Sequence, residues 1–144
     1  MIAAVIFCWH LISPTSKQSQ NKLLFERTAI VSYVVDGDTI HLEGDESVRL
    51  VGIDTPELRS SDVGERLRAE EAKEFVENLC PSGMEIGLNV DDLEPKDRYS
   101  RTLAVVYVKI DNFWTNLNAL LLQLGFAKIL YVPPSEFNPY EWLS

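Results

Sequence analysis

A predicted β-meander in the first half of the chain constrains the fold more than any other feature. Residues 28–35 are rich in Val, Ile, Thr and Tyr, and they end at Asp36-Gly37, a dipeptide typical of tight hairpins. A second strand is predicted over residues 38–42 and, after a turn at 43–46, a third strand over residues 47–53. The chain is therefore expected to begin its fold with three consecutive antiparallel strands.

The third of these strands shows the alternation of a half-buried sheet. Val48 and Leu50 are expected on one face, and Arg49, Val51 and Ile53 on the other. A long cation in the middle of such a strand is either an ordinary solvent-exposed arginine or one that meets an anionic partner, because burying it alone is costly. The sequence leaves both interpretations of Arg49 open.

The second half of the chain adds helices to the strand pattern. After a loop through Gly64, apolar residues recur at intervals of three and four and predict a helix; they are Ala69, Ala72, Phe75, Val76 and Leu79. Strands are predicted over residues 85–90 and 103–110, and a second amphipathic helix over 117–124, closed by Gly125. The pattern predicts a mainly β (α+β) fold, a five-stranded Greek-key barrel of the OB type with two to three helices.

Charge and cysteine content exclude some classes of protein. The 144 residues include 13 basic and 22 acidic ones, for a net charge of -9. Such a balance argues against a protein that coats polyanions through a basic surface, although it allows a local basic site. Two cysteines and no closely spaced cysteine pair exclude a disulfide framework and give no sign of a zinc site.

The first 20 residues differ in composition from the domain expected over 21–144. Residues 1–12 are largely apolar and are followed by a polar stretch to residue 20. The apolar run is shorter than the roughly 20 residues that span a bilayer, but its length suits the core of a signal peptide, although no basic residue precedes it. Secretion or membrane tethering is therefore expected, with a terminal strand packed on a cytoplasmic domain as the alternative.

Turn or helix-cap chemistry does not fully explain three acidic residues, Asp38, Asp54 and Glu57. Asp36 is typical of a hairpin turn, whereas Asp38 re-enters a strand, where aspartate is disfavoured. Asp54 and Glu57 have the spacing of a helix-capping pair, but the polar, aperiodic segment 58–64 follows instead of a helix. These carboxylates are therefore candidates for a chemical role.

A cluster of charge and aromatic character precedes the strand at 103–110. Residues 97–101 read Asp-Arg-Tyr-Ser-Arg, which composition alone would explain as a solvated charge run. Carboxylate oxygens favour Ca²⁺ or Mg²⁺, and arginine side chains favour bidentate contact with phosphate. Separate carboxylates combined with separate arginines are the equipment of phosphoryl transfer.

Three ordered motifs give the chain a resemblance to the staphylococcal nuclease (thermonuclease) family. They are VDGDT at 35–39, VRLVGIDTPE at 48–57 and DRYSRTL at 97–103, and the resemblance extends over residues 28–132. It implies an OB-fold, Ca²⁺-dependent phosphodiesterase that hydrolyses DNA and RNA by in-line attack of water, with little base specificity. It also implies a 5′-oxygen leaving group. The sequence itself gives no sign of a protein partner, and a monomer is expected.

The resemblance also implies a role for individual residues. The implied metal ligands are Asp38, Asp54 and the Thr55 carbonyl, the implied catalytic residues are Glu57, Arg49 and Arg101, and the implied nucleotide-pocket residues are Tyr99 and Tyr131. Glu57 would bind or orient the attacking water, and the two arginines would hold the scissile phosphate.

The chain departs from the family pattern at several places. Ser100 stands where the motif commonly has glycine, which predicts a changed turn before Arg101. The acidic composition is also unlike that of the family, and the proline-rich tail at 133–139 is not expected to form a regular helix. The alternatives to an enzyme are a catalytically silent OB-fold module that binds single-stranded nucleic acid and a structural or partner-binding protein that only keeps the fold, which would suit the acidic surface.

Overall fold

The three predicted meander strands are all present in the computed structural model, which describes residues 23–144. The strands of this region are β1 (Arg27–Asp36), β2 (Thr39–Leu42), β3 (Glu46–Leu50), β4 (Ile53–Asp54), β5 (Glu85–Val90), β6 (Thr102–Ile110), β7 (Phe113–Asn116) and β8 (Lys128–Ile129). The helices are α1 (Val63–Leu79), α2 (Leu117–Gln123) and a 3-10 helix (Pro139–Leu143).

Five of the strands close into a barrel. The sheet runs in the order β3-β2-β1-β5-β6-β7, and β6 also pairs with β3, in parallel, with Val48 opposite Thr102. This last pairing joins the two ends of the five-stranded segment, while β7 continues from β6 as an additional antiparallel strand. The predicted OB-type α+β fold is confirmed.

The barrel interior is filled by the inward-facing residues of its strands. Val31, Ile40, Val48, Leu50 and Leu88 are buried there, with no more than a trace of exposed surface. Helix α1 packs against β1 through small buried residues, and α2 packs against β6. The outward face of the meander is therefore free to carry polar side chains.

The first hairpin differs from the prediction by one residue. The turn is Gly37-Asp38, with Asp36 paired to Thr39, so Asp38 lies in the turn itself and not at the start of a strand. Its amide N–H donates to Asp36 Oδ1 (3.1 Å), so the Asp36 side chain stabilises the turn, as its residue type indicates.

The third predicted strand is interrupted near its end. It stops at Leu50, and Gly52 takes a left-handed conformation (φ 81°) before Ile53 and Asp54 form the short strand β4. Because this turn rotates the chain, Ile53 is buried and does not share an outward face with Arg49, contrary to the alternation.

Other differences concern boundaries and short elements. Helix α1 begins at Val63, one residue before the end of the expected loop at Gly64, and Asp62 caps it by accepting from the Glu65 amide. Strands β7 and β8 were not predicted. The tail at 133–138 has no regular helix, as expected, although the 3-10 helix follows it.

The predicted signal or tether at residues 1–20 lies outside the described residues and stays a prediction. Within residues 23–144, neither α-helix has the length and apolar character needed to cross a bilayer.

Candidate active site

Two carboxylates and one guanidinium form the centre of the site. Arg49 Nη2 lies 3.3 Å from Asp38 Oδ2 and 3.5 Å from Asp54 Oδ1, and Arg49 Nη1 donates to the Leu50 carbonyl. The Asp38 side chain is 8% exposed and that of Arg49 12%, so this pairing is shielded from solvent. One cation thus faces two carboxylates, and Lys128 Nζ is only 4.0 Å from Asp54 Oδ2.

Thr55 fixes the orientation of the Asp38 carboxylate. The Thr55 amide N–H and hydroxyl each donate to Asp38 Oδ2, at 3.0 Å, and the Thr39 hydroxyl lies 3.1 Å from Asp38 Oδ1. The hairpin approaches so closely that a Cβ on Gly37 would stand 2.9 Å from both Thr55 Cγ2 and Ala72 Cβ. Glycine at the turn is therefore required for packing against Thr55 and α1.

A third carboxylate, that of Asp36, lies beside this centre. Burial and the neighbouring Asp38 carboxylate raise the pKa of Asp36 to about 6, while Arg49 opposes the shift. The clustering of three acidic groups around one arginine gives this end of the hairpin an excess of negative charge.

Arg101 reaches the same centre from another part of the chain. Its Nε donates to Asp97 Oδ2 (2.7 Å) and its Nη1 to the Thr39 hydroxyl (3.3 Å). Asp97 Oδ1 in turn accepts from the amides of Tyr99 and Arg101. Arg101 is thereby held one hydroxyl away from Asp38.

The turn that carries Arg101 has serine at a left-handed position. Ser100 has a φ of 63°, in the left-handed region that favours glycine, and its amide donates to the Asp97 carbonyl. The contacts of Asp97 hold both ends of the loop, and the Arg101–Asp97 pair is present with serine at this position; whether the turn differs from one with glycine stays a prediction.

The two arginines and both predicted tyrosines line one cleft. Arg49, Arg101, Tyr99 and Tyr131 border a cavity of about 580 Å³ between β3, the loop before β6 and the tail after β8. Arg98 lies 4.8 Å from the centre of the Tyr99 ring, a cation-π contact, and its Nη2 donates to the Tyr99 hydroxyl. The cleft therefore presents cationic and aromatic groups together.

Asp91, fully buried, fastens the tail that forms one wall of this cleft. Its side chain accepts from the amides of Leu93 (3.1 Å) and Glu136 (3.1 Å) and from the hydroxyl of Ser135. The loop after β5 and the tail near Tyr131 are thus joined through one carboxylate.

Glu57 stands apart from these contacts. It follows Thr55 and Pro56 in an exposed loop, and its amide donates to Glu65 Oε1 (3.3 Å). Among residues 23–144, the hydrogen bonds and ion pairs that join Asp38, Arg49 and Thr55 do not include the Glu57 carboxylate. Glu57 is therefore close to Thr55 along the chain and is exposed to solvent.

Asp38 and Asp54 can supply only part of the coordination shell of a hard cation, and water would have to supply the rest. Asp38 and Asp54 direct oxygens to one point, now facing Arg49, and Asp54 is partly open to solvent. Within the described part of the chain, no group of three or more acidic, histidine or cysteine side chains has the closeness of a metal cage. Carboxylate oxygens that converge in this way are of the kind that Ca²⁺ accepts together with backbone carbonyls and water.

Sequence reasoning gave no role to several residues that shape the site. Asp97 and Thr39 both contact Arg101, and Lys128 contacts Asp54. The signal for Asp97 was its position four residues before Arg101, whereas Lys128 reaches Asp54 only through the pairing of β8 with β4, which leaves no local signal.

The chain matches one family model and several known proteins. The model of the family described as "Staphylococcal nuclease homologue" matches residues 47–143. A thermonuclease of Staphylococcus intermedius is 34% identical over 110 residues, which cover 74% of this chain and 62% of that protein. A thermonuclease of Staphylococcus hyicus is 33% identical over 113 residues, with 76% and 63% covered.

A third relative is much larger. Endonuclease YhcR of Bacillus subtilis (strain 168) is 31% identical over 120 residues, which cover 77% of this chain but 10% of that protein. The chain thus spans about three fifths of the length of the two thermonucleases that it matches. The barrel, the family match and the identities together establish that this chain belongs to the staphylococcal nuclease family.

Proposed function

We propose that this protein is a Ca²⁺-dependent nuclease that hydrolyses phosphodiester bonds in DNA and RNA with little base specificity. The observation that carries the proposal is the meeting of Asp38, Asp54 and Arg49 at the edge of a cleft that also holds Arg101 and two tyrosines. Relatives named thermonuclease and endonuclease support the same class of reaction.

The two arginines would hold the scissile phosphate. Each guanidinium can bind two phosphate oxygens at once, and both are pre-positioned, Arg49 by two carboxylates and Arg101 by Asp97. Fixed donors of this kind stabilise the charge that builds on the oxygens in the transition state. They address phosphate and not base edges, which is why little base specificity is proposed.

The carboxylates create a need for a bound cation. A phosphate at Arg49 would approach Asp38 and Asp54, and three anionic groups in a shielded site repel one another strongly. When bound there, Ca²⁺ would neutralise this repulsion and polarise a phosphate oxygen. The residues proposed to hold it are Asp38, Asp54 and the Thr55 carbonyl.

Glu57 is proposed to act on the attacking water. Its exposed position two residues after Thr55 leaves the carboxylate free to accept a hydrogen bond or a proton from water. Tyr99 and Tyr131, which are 65% and 41% exposed in the cleft wall, are proposed to contact the nucleotide. A direct attack on phosphorus is expected, opposite to a 5′-oxygen leaving group.

A cleavage assay separates the enzyme from a silent binding module. Plasmid, single-stranded DNA and RNA are incubated with the protein and Ca²⁺, and again with excess chelator. We expect cleavage of all three substrates only with Ca²⁺. Asp54→Asn, which keeps the side-chain shape but removes a charge, is expected to lower activity at least about 100-fold. Binding of single strands without any turnover would instead support the silent module, and cleavage that survives the chelator would contradict the calcium requirement.

A further inference from the structure

An aromatic pair lies on the outer face of the meander, outside the cleft. The rings of Tyr33 on β1 and His41 on β2 stack with their centres 4.8 Å apart and their planes inclined by 28°. Tyr33 is 54% exposed, so one face of the pair is open to solvent. Neither residue takes part in the contacts of Asp38, Arg49 or Arg101 described above.

Strand irregularities turn this pair outward. In β1, Val31 pairs with Leu42, Tyr33 with His41, Val34 with Ile40 and Asp36 with Thr39, so Ser32 and Val35 are each an extra residue. In a regular strand without this bulge, Tyr33, two residues after the buried Val31, would share its inward face. Bulges of this kind re-aim side chains next to functional sites, and these two direct Tyr33 and Asp36 to the same outer face.

The pair is also held in a fixed orientation. His41 Nδ1 lies 3.1 Å from the Ser47 hydroxyl, and Nε2 lies 3.4 Å from Asp45 Oδ1. The His41 side chain is only 19% exposed, so the imidazole supports the Tyr33 ring from one side. A rigid, one-sided aromatic surface results.

The position of the pair relates it directly to the arginines. Between β2 and β3, Thr39 pairs with Arg49 and His41 pairs with Ser47. His41 therefore lies two residues along the strand from the position opposite Arg49, a distance of about 7 Å. Thr39 is also the residue that Arg101 contacts. Arg49 is on β3, which pairs with β2 on one side and with β6 on the other. Tyr33, on β1 next to β2, therefore lies on one side of Arg49, and the cleft beside β6 lies on the other.

We propose that the Tyr33–His41 pair is a stacking site for one unpaired nucleobase of the strand whose phosphate lies at Arg49 and Arg101. The proposal rests on the proposed function for the position of that phosphate. A base has a flat face that suits the exposed Tyr33 ring, and stacking tolerates any base. An acidic protein with few cations at the site gains affinity in this way without further phosphate contacts.

The test measures binding without turnover. Short single-stranded oligonucleotides with cleavage-resistant phosphorothioate linkages, and with one base removed at each position in turn, are titrated into the full chain with Ca²⁺, and Kd is measured by fluorescence anisotropy. For the parent protein, we expect one nucleotide position at which removal of the base weakens binding about tenfold. This position is distinct from those whose nucleotides contact the cleft. In Tyr33→Ala, base removal at that position is expected to change Kd less than twofold.

Matched variants decide whether the ring is responsible. Tyr33→Phe and Tyr33→Trp keep a stacking surface and should keep the sensitivity to base removal. Phe113→Ala, which removes a 75% exposed aromatic ring from β7, should keep it as well. Circular dichroism confirms that each variant is folded. An equal loss on base removal in the parent and in Tyr33→Ala would overturn the proposal, and so would loss of the sensitivity in Tyr33→Phe.

The binding result does not depend on catalysis. Cleavage of the corresponding unmodified oligonucleotides with Ca²⁺ is measured separately. A parent that never cleaves but still shows the base effect would defeat the proposed function and leave the stacking site standing. A parent that cleaves but shows no position with a Tyr33-dependent base effect would defeat only the stacking site.

Discussion

Arg49 is the residue through which most of the site is connected, because its guanidinium faces Asp38 in the first turn and Asp54 on β4. Lysine at this position would keep the charge but lose the planar fork that can bind two oxygens. We expect Arg49→Lys to lower kcat at least about 100-fold, the size of effect seen when one oxyanion donor is removed. The measurement is kcat and Kd for single-stranded DNA with Ca²⁺.

Glu57 allows a sharper test at the same scale because its side chain is exposed and its replacement should not disturb folding. Glu57→Gln removes the proton acceptor, and we expect kcat to fall about 100-fold or more with Kd changed less than threefold. Glu43→Gln, at an exposed turn position away from the cleft, is the matched control and should retain parental turnover. Equal loss of activity in both variants would show that overall charge, and not Glu57, matters.

Asp97 connects the site to pH-dependent stability. Burial would raise its pKa, but the Arg101 amide and guanidinium and the Tyr99 amide outweigh burial and hold the pKa below its usual range. A carboxyl whose pKa is lower in the folded state contributes stability above the pKa of the unfolded chain, near 4, and loses it as the pH falls through the folded value.

The corresponding variant is Asp97→Asn. We expect it to reduce the free energy of unfolding by about 2 kcal/mol at pH 7, the usual size for hydrogen bonds to a charged group. The difference from the parent should shrink below about pH 4, because the parent carboxyl is then losing its charge. Urea unfolding at pH 7 and at pH 3 measures both values. Asp92→Asn, an exposed neighbour, should show no such difference; a gap that is constant with pH would contradict the ion-pair explanation.

At the scale of elements, Asn118 fastens α2 to the strands that carry the site. The buried side chain accepts from the Val106 amide (3.0 Å) and donates to the carbonyls of Val51 (2.8 Å) and Ala104 (3.2 Å). Asn118→Ala would leave these buried backbone groups unpaired, so we expect a loss of about 3 kcal/mol or more. Asn116→Ala removes only the N-cap of the same helix and should cost about 1 kcal/mol. Urea unfolding compares the two; equal losses would contradict a special role for Asn118.

The sequence predicts those strands and helices whose apolar pattern repeats within the element itself. Apolar alternation and helical spacing identified the meander and both α-helices because those patterns repeat over many residues. The turn at Gly52, which buries Ile53, and the two-residue strand β8 depend on distant partners and were missed. Asp38, Arg49, Asp54 and Thr55 were singled out by motif, and the structure brings their side chains together, but their chemical roles stay predictions.

At the scale of the whole molecule, the net charge of -9 contrasts with the few cations that border the site. Arg49, Arg98 and Arg101 line the cleft, and Lys128 lies near Asp54, but Arg49 and Arg101 are already paired with carboxylates. Binding of nucleic acid should therefore rest on a small number of phosphate contacts. The remaining affinity should come from contacts that salt does not screen.

This difference is measurable as the salt dependence of Kd. Each phosphate contact with a single strand contributes about -0.7 to the slope of log K against log salt, so four cations give a slope no steeper than about -3. We expect Arg98→Ala to make the slope shallower by about 0.7, because it removes one contact. Tyr33→Ala should weaken binding at every salt concentration without changing the slope, since stacking releases no counterions. Anisotropy titrations of cleavage-resistant oligonucleotides from low to moderate salt, at a constant Ca²⁺ concentration, provide the slopes. A slope steeper than about -5 would reveal an extended basic surface and contradict the assignment of binding to this small group of cations.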